Sequence, residues 1–227
     1  MIQINGLTKT IGSATILSNV SLSMPEGSII GLQGVNGSGK TMLIRSIAGL
    51  IKPTKGTISI NGEALWRDIP FPRSVGALIE NPSFLPSYTG FENLKMLASF
   101  KNLIGENEIE EVIASVGLDP KDKRKYRKYS LGMKQRLGIA AAIMEKPDIV
   151  LLDEPTNALD ESGVEILRNL ILEQKARGAT VVLASHDRLF LTSVADVIHH
   201  LENGKLTSTS SKQKGEPRHA KTSDSHA

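Results

Sequence analysis

Chemistry is concentrated first in Gly34 to Thr41, GVNGSGKT, which fits the spacing G-x-x-x-x-G-K-[ST]. Gly34, Gly37 and Gly39 permit turns closed to other residues, so successive backbone N–H groups can converge on a phosphate chain, with Asn36 and Ser38 inside the same loop. The helix that opens after Gly39 directs its positive end at the same anion. Lys40 adds a point charge for the outer phosphates, and the Thr41 hydroxyl suits Mg²⁺. An apolar run (Ile29, Ile30, Leu32) precedes the loop and a helix-compatible run (Met42, Leu43, Ile44, Ile47) follows it. That strand–loop–helix setting is what the motif needs, and it implies binding of a nucleoside triphosphate.

A second concentration is IVLLDEP, Ile149 to Pro155. Four consecutive apolar residues suit a parallel strand buried on both faces. Asp153 and Glu154 at its end would be costly inside a core, so they mark a site at the strand's carboxyl edge. A helix over about Val164–Ala176, capped by Gly178, and a strand over Thr180–Ala184 follow in α/β order. That strand ends at Ser185-His186, at another carboxyl edge.

The elements that must position these groups are legible in outline. Ile2 and Ile4 alternate with polar residues, as do Val20, Leu22 and Met24, and Pro25-Glu26-Gly27 turns the chain into the strand before the phosphate loop. The helix after Thr41 stops near Gly49, and a strand through Ile58 and Ile60 turns at Asn61-Gly62. The early strands predict an antiparallel patch beside the phosphate-binding core. Between Pro82 and Lys146 strand signals are scarce. Ile109, Val112, Ile113 and Val116 mark one helix face, and a second helix runs from Leu131 to Glu145 with Ser130 as its N-cap. The expectation is a helical subdomain inserted over 82–146 into an α/β core made of 1–81 and 147–206. Within it, KDKRKYRKY (Lys121–Tyr129) reads as a solvated loop, or more sharply as a partner- or lipid-facing surface with Tyr126 and Tyr129 interleaved. A last strand pair turns at Asn203-Gly204. Past Leu206 apolar residues vanish, which predicts a disordered tail over 207–227. Its Lys212, Lys214, Arg218 and Lys221 read as a solubilising end or as contacts to anionic lipid.

The 227 residues suffice for a substantial core, and a net charge of +3 is poor evidence for a nucleic-acid binder. Absence of cysteine excludes disulfides, thiolate metal sites and cysteine nucleophiles. The start, MIQINGLTKT, lacks a signal-peptide pattern and no apolar run reaches the length of a span, so a transport function would need its membrane path in another chain.

Four further stretches fall in an order that resembles the ATP-binding cassette (ABC) family. YSLGMKQR (Tyr129–Arg136) resembles the family's signature motif, LLDEP its second nucleotide motif, NALD (Asn157–Asp160) its D-loop, and Ser185-His186 its switch histidine. With the phosphate loop the resemblance covers about residues 1–206. It implies a P-loop NTPase fold of α/β class, a RecA-like core with an antiparallel β subdomain and the inserted helical subdomain. It also implies ATP and Mg²⁺ as ligands. Asp153 would hold the metal with Thr41, Glu154 would serve as general base, and His186 would bond the γ-phosphate. Ser130, Gly132, Met133 and Asp160 would meet nucleotide in trans, in a head-to-tail homodimer with ATP sandwiched between copies.

Two departures from the family pattern stand out. Ile11 occupies the place of an aromatic that stacks on adenine, which implies modest discrimination between ATP and GTP. Glu80, in ALIENPSFLPSYTGFENL, replaces a glutamine that reaches Mg²⁺ and the attacking water, adding a carboxylate to the metal and catalytic set. Glu80 together with SLGMKQR resembles the branch of bacitracin-resistance and lantibiotic-immunity exporters. The implied function is an ATPase driving a separate transmembrane permease, located in the cytoplasm against the inner face of the cell membrane, with no nucleic-acid partner. The rival reading is a non-transport cassette acting on ribosomes or nucleic acid, because ASHDRLFL (Ala184–Leu191) resembles the translation-factor switch region. A nucleotide-sensing module without turnover is disfavoured by the presence of Lys40, Asp153, Glu154 and His186.

Overall fold

The computed structural model describes residues 1–211. An antiparallel hairpin, β1 (Ile2–Ile11) and β2 (Ala14–Met24), leads into β3 (Ile29–Gln33), α1 (Lys40–Ile47), β4 (Lys55–Ile60), β5 (Glu63–Ala64) and β6 (Val75–Leu78). Three helices follow: α2 (Gly90–Ala98), α3 (Glu106–Ser115) and α4 (Leu131–Ile143), with a 3-10 turn at Tyr126–Lys128. The chain then alternates through β7 (Ile149–Asp153), α5 (Glu161–Ala176), β8 (Thr180–Ser185), α6 (Arg188–Val194), β9 (Val197–Glu202) and β10 (Lys205–Ser211).

These strands make two sheets. One is antiparallel, in the order β2-β1-β4-β5; the other runs β10-β9-β3-β8-β7-β6 and is parallel except for β10. The central strands β3, β7 and β8 carry the apolar runs 29–32, 149–152 and 181–184 because both their faces are covered. Alternate residues feed separate cores. Ile29, Val150, Leu152, Val181 and Leu183 pack with the helices α2 to α6, while Ile30, Leu32, Ile149, Leu151, Val182 and Ala184 pack with α1 and the antiparallel strands. The parallel sheet is thus a slab held from both sides, and its carboxyl edge becomes a fixed platform.

The helices between β6 and β7 share the first of these cores. Leu94, Ile109, Ile113 and Leu137 join the same buried cluster as Val150 and Leu152. α4 lies directly on β6: a Cβ placed on Gly76 would sit 1.7 Å from the carbonyl oxygen of Ala142. α2 starts at a capping box, in which the Thr89 hydroxyl accepts from the Glu92 N–H at 3.1 Å and the Glu92 carboxylate accepts from the Thr89 N–H at 2.6 Å.

Two expectations are corrected. Tyr126 and Tyr129 are not interleaved with the cations on a surface but buried, their rings 5.9 Å apart. The Tyr126 hydroxyl donates to the Pro82 carbonyl at 2.7 Å and the Tyr129 hydroxyl accepts from the Gly90 N–H at 3.2 Å, so the run is stitched to the 82–90 segment by its aromatics. The tail does not begin at 207 either, since β10 continues to Ser211 against β9. Its side chains are mostly exposed because it is a sheet edge, which explains the polar composition without disorder. The expected tail from 212 to 227, with its four cations, lies outside the described residues.

Candidate active site

The phosphate loop leaves β3 and enters α1 with a geometry that only small residues permit at two points. A Cβ on Gly34 would stand 2.4 Å from the Leu201 carbonyl oxygen. Gly39, the residue before α1, has φ +107° and lies against the side chain of Leu17. Gly37, with φ +81°, faces open space, since a Cβ there would meet nothing within 4 Å. The loop therefore curls tightly at its roots around a concavity at its crest.

Lys40 reaches back into that curl, 5% exposed, its ammonium donating to the carbonyls of Gly34 at 2.7 Å and Val35 at 3.2 Å. The neighbouring Thr41 hydroxyl donates to Asp153 Oδ2 at 2.6 Å. β7 delivers Asp153 to this edge and Glu154 just beyond it, in a left-handed conformation with φ +47°. Glu154 Oε1 lies 3.4 Å from the Lys40 ammonium, too poorly aligned for a hydrogen bond, and Oε2 accepts from His186 Nδ1 at 2.8 Å. Ser185 and the His186 backbone N–H approach the same oxygen at 3.5 and 3.4 Å. Groups that follow β3, β7 and β8 thus converge at one edge.

Two features fit a metal-bound triphosphate. Asp153 is 3% exposed, yet its Oδ1 and the Ser38 hydroxyl are buried with no hydrogen-bond partner among the described residues. Buried polar atoms are almost always paired, so these two have an unfilled capacity aimed at the loop. Burial pushes the Asp153 carboxyl above its usual range, the Thr41 hydrogen bond opposes this, and the Glu154 charge adds to it. A divalent cation would reverse that penalty. No group of three or more His, Asp or Glu side chains among the described residues could hold a metal unaided, so phosphate oxygens and water would complete the shell around Thr41 and Asp153.

A cleft of about 320 Å³ runs along the loop, lined by Asn36, Gly37, Gly39, Lys40, Thr41, Met42, Glu154 and Ile16. Ile16, on β2, is an apolar wall that sequence reasoning missed; Ile11, expected beside the base, is 51% exposed at the hairpin tip and lines no part of this cleft. Glu80 also departs from expectation. Its carboxylate pairs with Arg45 at 2.7 Å and makes no hydrogen bond to Thr41 or Asp153.

The signature residues stand apart from the cleft. Ser130 caps α4, its hydroxyl accepting from the Met133 N–H at 3.2 Å, and Leu131 beside it is 64% exposed. Gly132 packs under the D-loop, where a Cβ would meet the Ala158 carbonyl at 2.8 Å. Asp160, expected to meet nucleotide, caps α5 by accepting from the Gly163 N–H at 2.9 Å and pairs with Arg136 at 2.8 Å. Gln135 and Arg136 were overlooked as individuals. Gln135 donates to the Pro155 carbonyl at 3.2 Å and Arg136 ties Val116 to Asp160, so they bolt the signature helix to the segment after the carboxylates. Their signal was position: both directly follow the signature core.

A phosphate loop after β3, with its carboxylates at the end of the β7 strand, defines a P-loop nucleoside triphosphatase. The family profile described as ABC transporter matches residues 17–157, more than half of the chain. The chain is 50% identical over 206 residues to the uncharacterized ABC transporter ATP-binding protein YybJ of Bacillus subtilis, covering 91% of this chain and 94% of that one. It is 38% identical over 208 residues to the bacitracin transport ATP-binding protein BcrA of Enterococcus faecalis (91% and 68% covered), and 36% over 208 to the lantibiotic transport ATP-binding protein SrtF of Streptococcus pyogenes (91% and 89%). Among solved structures, an ATP-binding subunit of an ABC transporter superposes with TM-score 0.85 at 28% identity, covering 93% and 90% of the two chains. The dimeric post-hydrolysis cassette MJ0796, bound to ADP and Pi, gives 0.81 at 25%, covering 93% and 98%. The chain belongs to the ABC transporter family, as an ATP-binding subunit of its ATPase type. No helix among the described residues is long and apolar enough to cross a membrane.

Proposed function

We propose that this subunit works as a head-to-tail homodimer that closes over two ATP molecules and drives a separate permease, exporting an antimicrobial peptide or a related antibiotic. The observation that carries the reading is the division of the site. Lys40, Thr41, Glu154 and His186 gather at one edge, while Ser130, Gly132 and Met133 open an exposed helix N-terminus that lines no part of that cleft. The first N–H groups of that helix lack intrahelical acceptors and favour an anion. A two-fold pair is self-complementary, so each copy's signature would cover the other's phosphate loop.

In this reading the loop amides and Lys40 bind the phosphates, and Thr41 and Asp153 hold Mg²⁺. When bound, the metal neutralises charge on the transferring phosphoryl group. Glu154 orients the attacking water and takes its proton as the oxygen bonds to the γ-phosphorus and the bond to ADP breaks. His186 orients Glu154 through Nδ1 and faces the phosphate with its other nitrogen. The names of BcrA, a bacitracin transport ATP-binding protein, and SrtF, a lantibiotic transport ATP-binding protein, support a peptide antibiotic as cargo. A subunit of this kind would work in the cytoplasm at the membrane's inner face, with the 80–88 segment and the helices α2 to α4 toward the permease.

Mixing a Lys40→Ala chain with a Ser130→Arg chain tests the shared site. Each mixed dimer regains one composite site with intact parts, which predicts about a quarter of wild-type turnover at equal mixing if the two sites act independently. Full activity from a strictly monomeric species refutes the dimer. Failure of the chain to co-purify with any polytopic membrane protein, alongside recovery on ribosomes, favours the non-transport rival.

A further inference from the structure

The Glu80 carboxylate, at this end of the sheet, has its partner outside the phosphate and carboxylate set. Glu80 follows β6 at the same carboxyl edge, with its backbone in the left-handed region at φ +60°. A glutamate rarely keeps that conformation without something holding it. Its side chain is anchored to Arg45, in the last turn of α1, whose guanidinium meets Oε1 at 2.7 Å. α1 is the helix whose first residues are Lys40 and Thr41, so Arg45 is anchored rigidly to the phosphate loop. Leu78 of β6 pairs with Leu152 of β7, so Glu80 leaves its strand beside the end of the strand that carries Asp153, but its oxygens are drawn to Arg45. The same carboxylate thus stands at the edge that carries two cation positions, one occupied by a guanidinium and one between Thr41 and Asp153.

We propose that Arg45 is a positioning residue for Glu80: it holds this carboxylate off the Thr41–Asp153 metal position, so that metal must compete with the guanidinium for it. The idea rests on the ATPase reading above and deepens it. The extra negative charge that Glu80 brings is balanced in the nucleotide-free chain by a fixed cation on α1. Metal binding with nucleotide then transfers the carboxylate, and the segment after β6 moves with it. A half-exposed ion pair is weak enough to be broken by such competition, since Arg45 is 34% and Glu80 60% exposed.

The test measures the free Mg²⁺ at which a fluorescent, non-hydrolysable ATP analogue is half-bound, by anisotropy, so no turnover is involved. Arg45→Met keeps the stem and removes the charge; it is expected to lower the half-saturating Mg²⁺ by about 2- to 5-fold, the range of a partly exposed pair. Arg45→Lys should restore most of the wild-type midpoint. Glu80→Gln should raise the midpoint, and in that background Arg45→Met should change nothing. An equal shift with and without Glu80 overturns the proposal, because Arg45 would then act on the metal through its own charge. An unchanged midpoint in Arg45→Met, with nucleotide still bound, also overturns it while leaving the ATPase reading intact. Absence of Mg²⁺-dependent nucleotide binding by the unaltered chain defeats the ATPase reading itself and the proposal with it.

Discussion

Glu154 and His186 meet through a single oxygen, Oε2 accepting from Nδ1 at 2.8 Å. An ionised carboxylate can only accept, so this contact puts the ring hydrogen on Nδ1. Nε2 then presents a lone pair in the neutral ring and can donate toward a phosphate oxygen only when the imidazole is protonated. Glu154 and His186 are therefore one hydrogen-bonded pair. Replacing Glu154 by Gln removes the acceptor charge but leaves Lys40 bonded to Gly34 and Val35. Turnover should fall about 10²- to 10⁴-fold, the usual share of a general base, with nucleotide affinity nearly unchanged. Phosphate release in a single turnover, set beside binding anisotropy on the same samples, checks both halves.

Asp153 yields a prediction with opposite signs for stability and activity. Its folded carboxyl titrates above the unfolded value because burial disfavours the charge. A group of this kind contributes stability only while protonated, and that contribution is lost as pH rises through its raised folded value. Asp153→Asn removes the buried charge and keeps an acceptor for Thr41. The nucleotide-free variant should melt higher than wild type near neutral pH, by about 2–4 °C for each kcal/mol relieved in a chain this long. The gap should close at acid pH, where both side chains are neutral. Hydrolysis should be lost throughout. Calorimetry across a pH series reads the first effect, and an Asn variant that melts lower at neutral pH refutes the account of Asp153.

Much of this site was legible because its chemistry is carried by short local patterns. The phosphate loop, the carboxylates ending β7 and the histidine ending β8 each lie where an apolar run stops. Contacts between distant segments were not legible. Tyr126 and Tyr129 sit in a run of cations that looks solvated, and only the packing of the 82–90 segment reveals that they point inward. Ile16 was passed over for Ile11 because the hairpin register that turns Ile16 to the cleft is set by pairing between β1 and β2, with bulges no sequence pattern discloses. β6, only four residues long, gave too short a run to read, and the capping box of Thr89 and Glu92 that starts α2 went unread beside it. The Arg45–Glu80 pair spans 35 positions and depends on the sheet order that brings β6 to the edge.

The apolar wall at Ile16 predicts where nucleobase affinity can be gained. Aromatic stacking on a base is worth roughly 1–3 kcal/mol, so Ile16→Tyr should tighten ATP binding by about 5-fold or more. Ile11→Tyr, at the exposed hairpin tip, should leave affinity unchanged. Wild type itself should separate ATP from GTP only modestly, because an isoleucine offers no stacking face. Competition between the two nucleotides in the three proteins decides the matter. A gain from Ile11→Tyr with none from Ile16→Tyr would move the base to the tip.

The seat of α4 on β6 makes Gly76 the position where the fold itself can be tested. β6 pairs with β7 in parallel, Gly76 opposite Val150, and the Ala142 carbonyl lies where a Cβ would be, at 1.7 Å. The obstruction is backbone, so no side-chain rotation relieves it; either the strand or the helix must shift. Gly76→Ala should cost about 3 kcal/mol or more, at the top of the range for overpacking and with the weight of a backbone clash. Because α4 also carries the signature, the variant should lose hydrolysis along with stability. Gly62→Ala is the control: its φ of +87° strains a side chain, but nothing lies within 4 Å, so about 1–2 kcal/mol is expected and activity should survive. Urea unfolding of the pair separates the two costs, and a Gly76→Ala chain as stable as the Gly62→Ala chain would mean that α4 does not sit this close to the sheet.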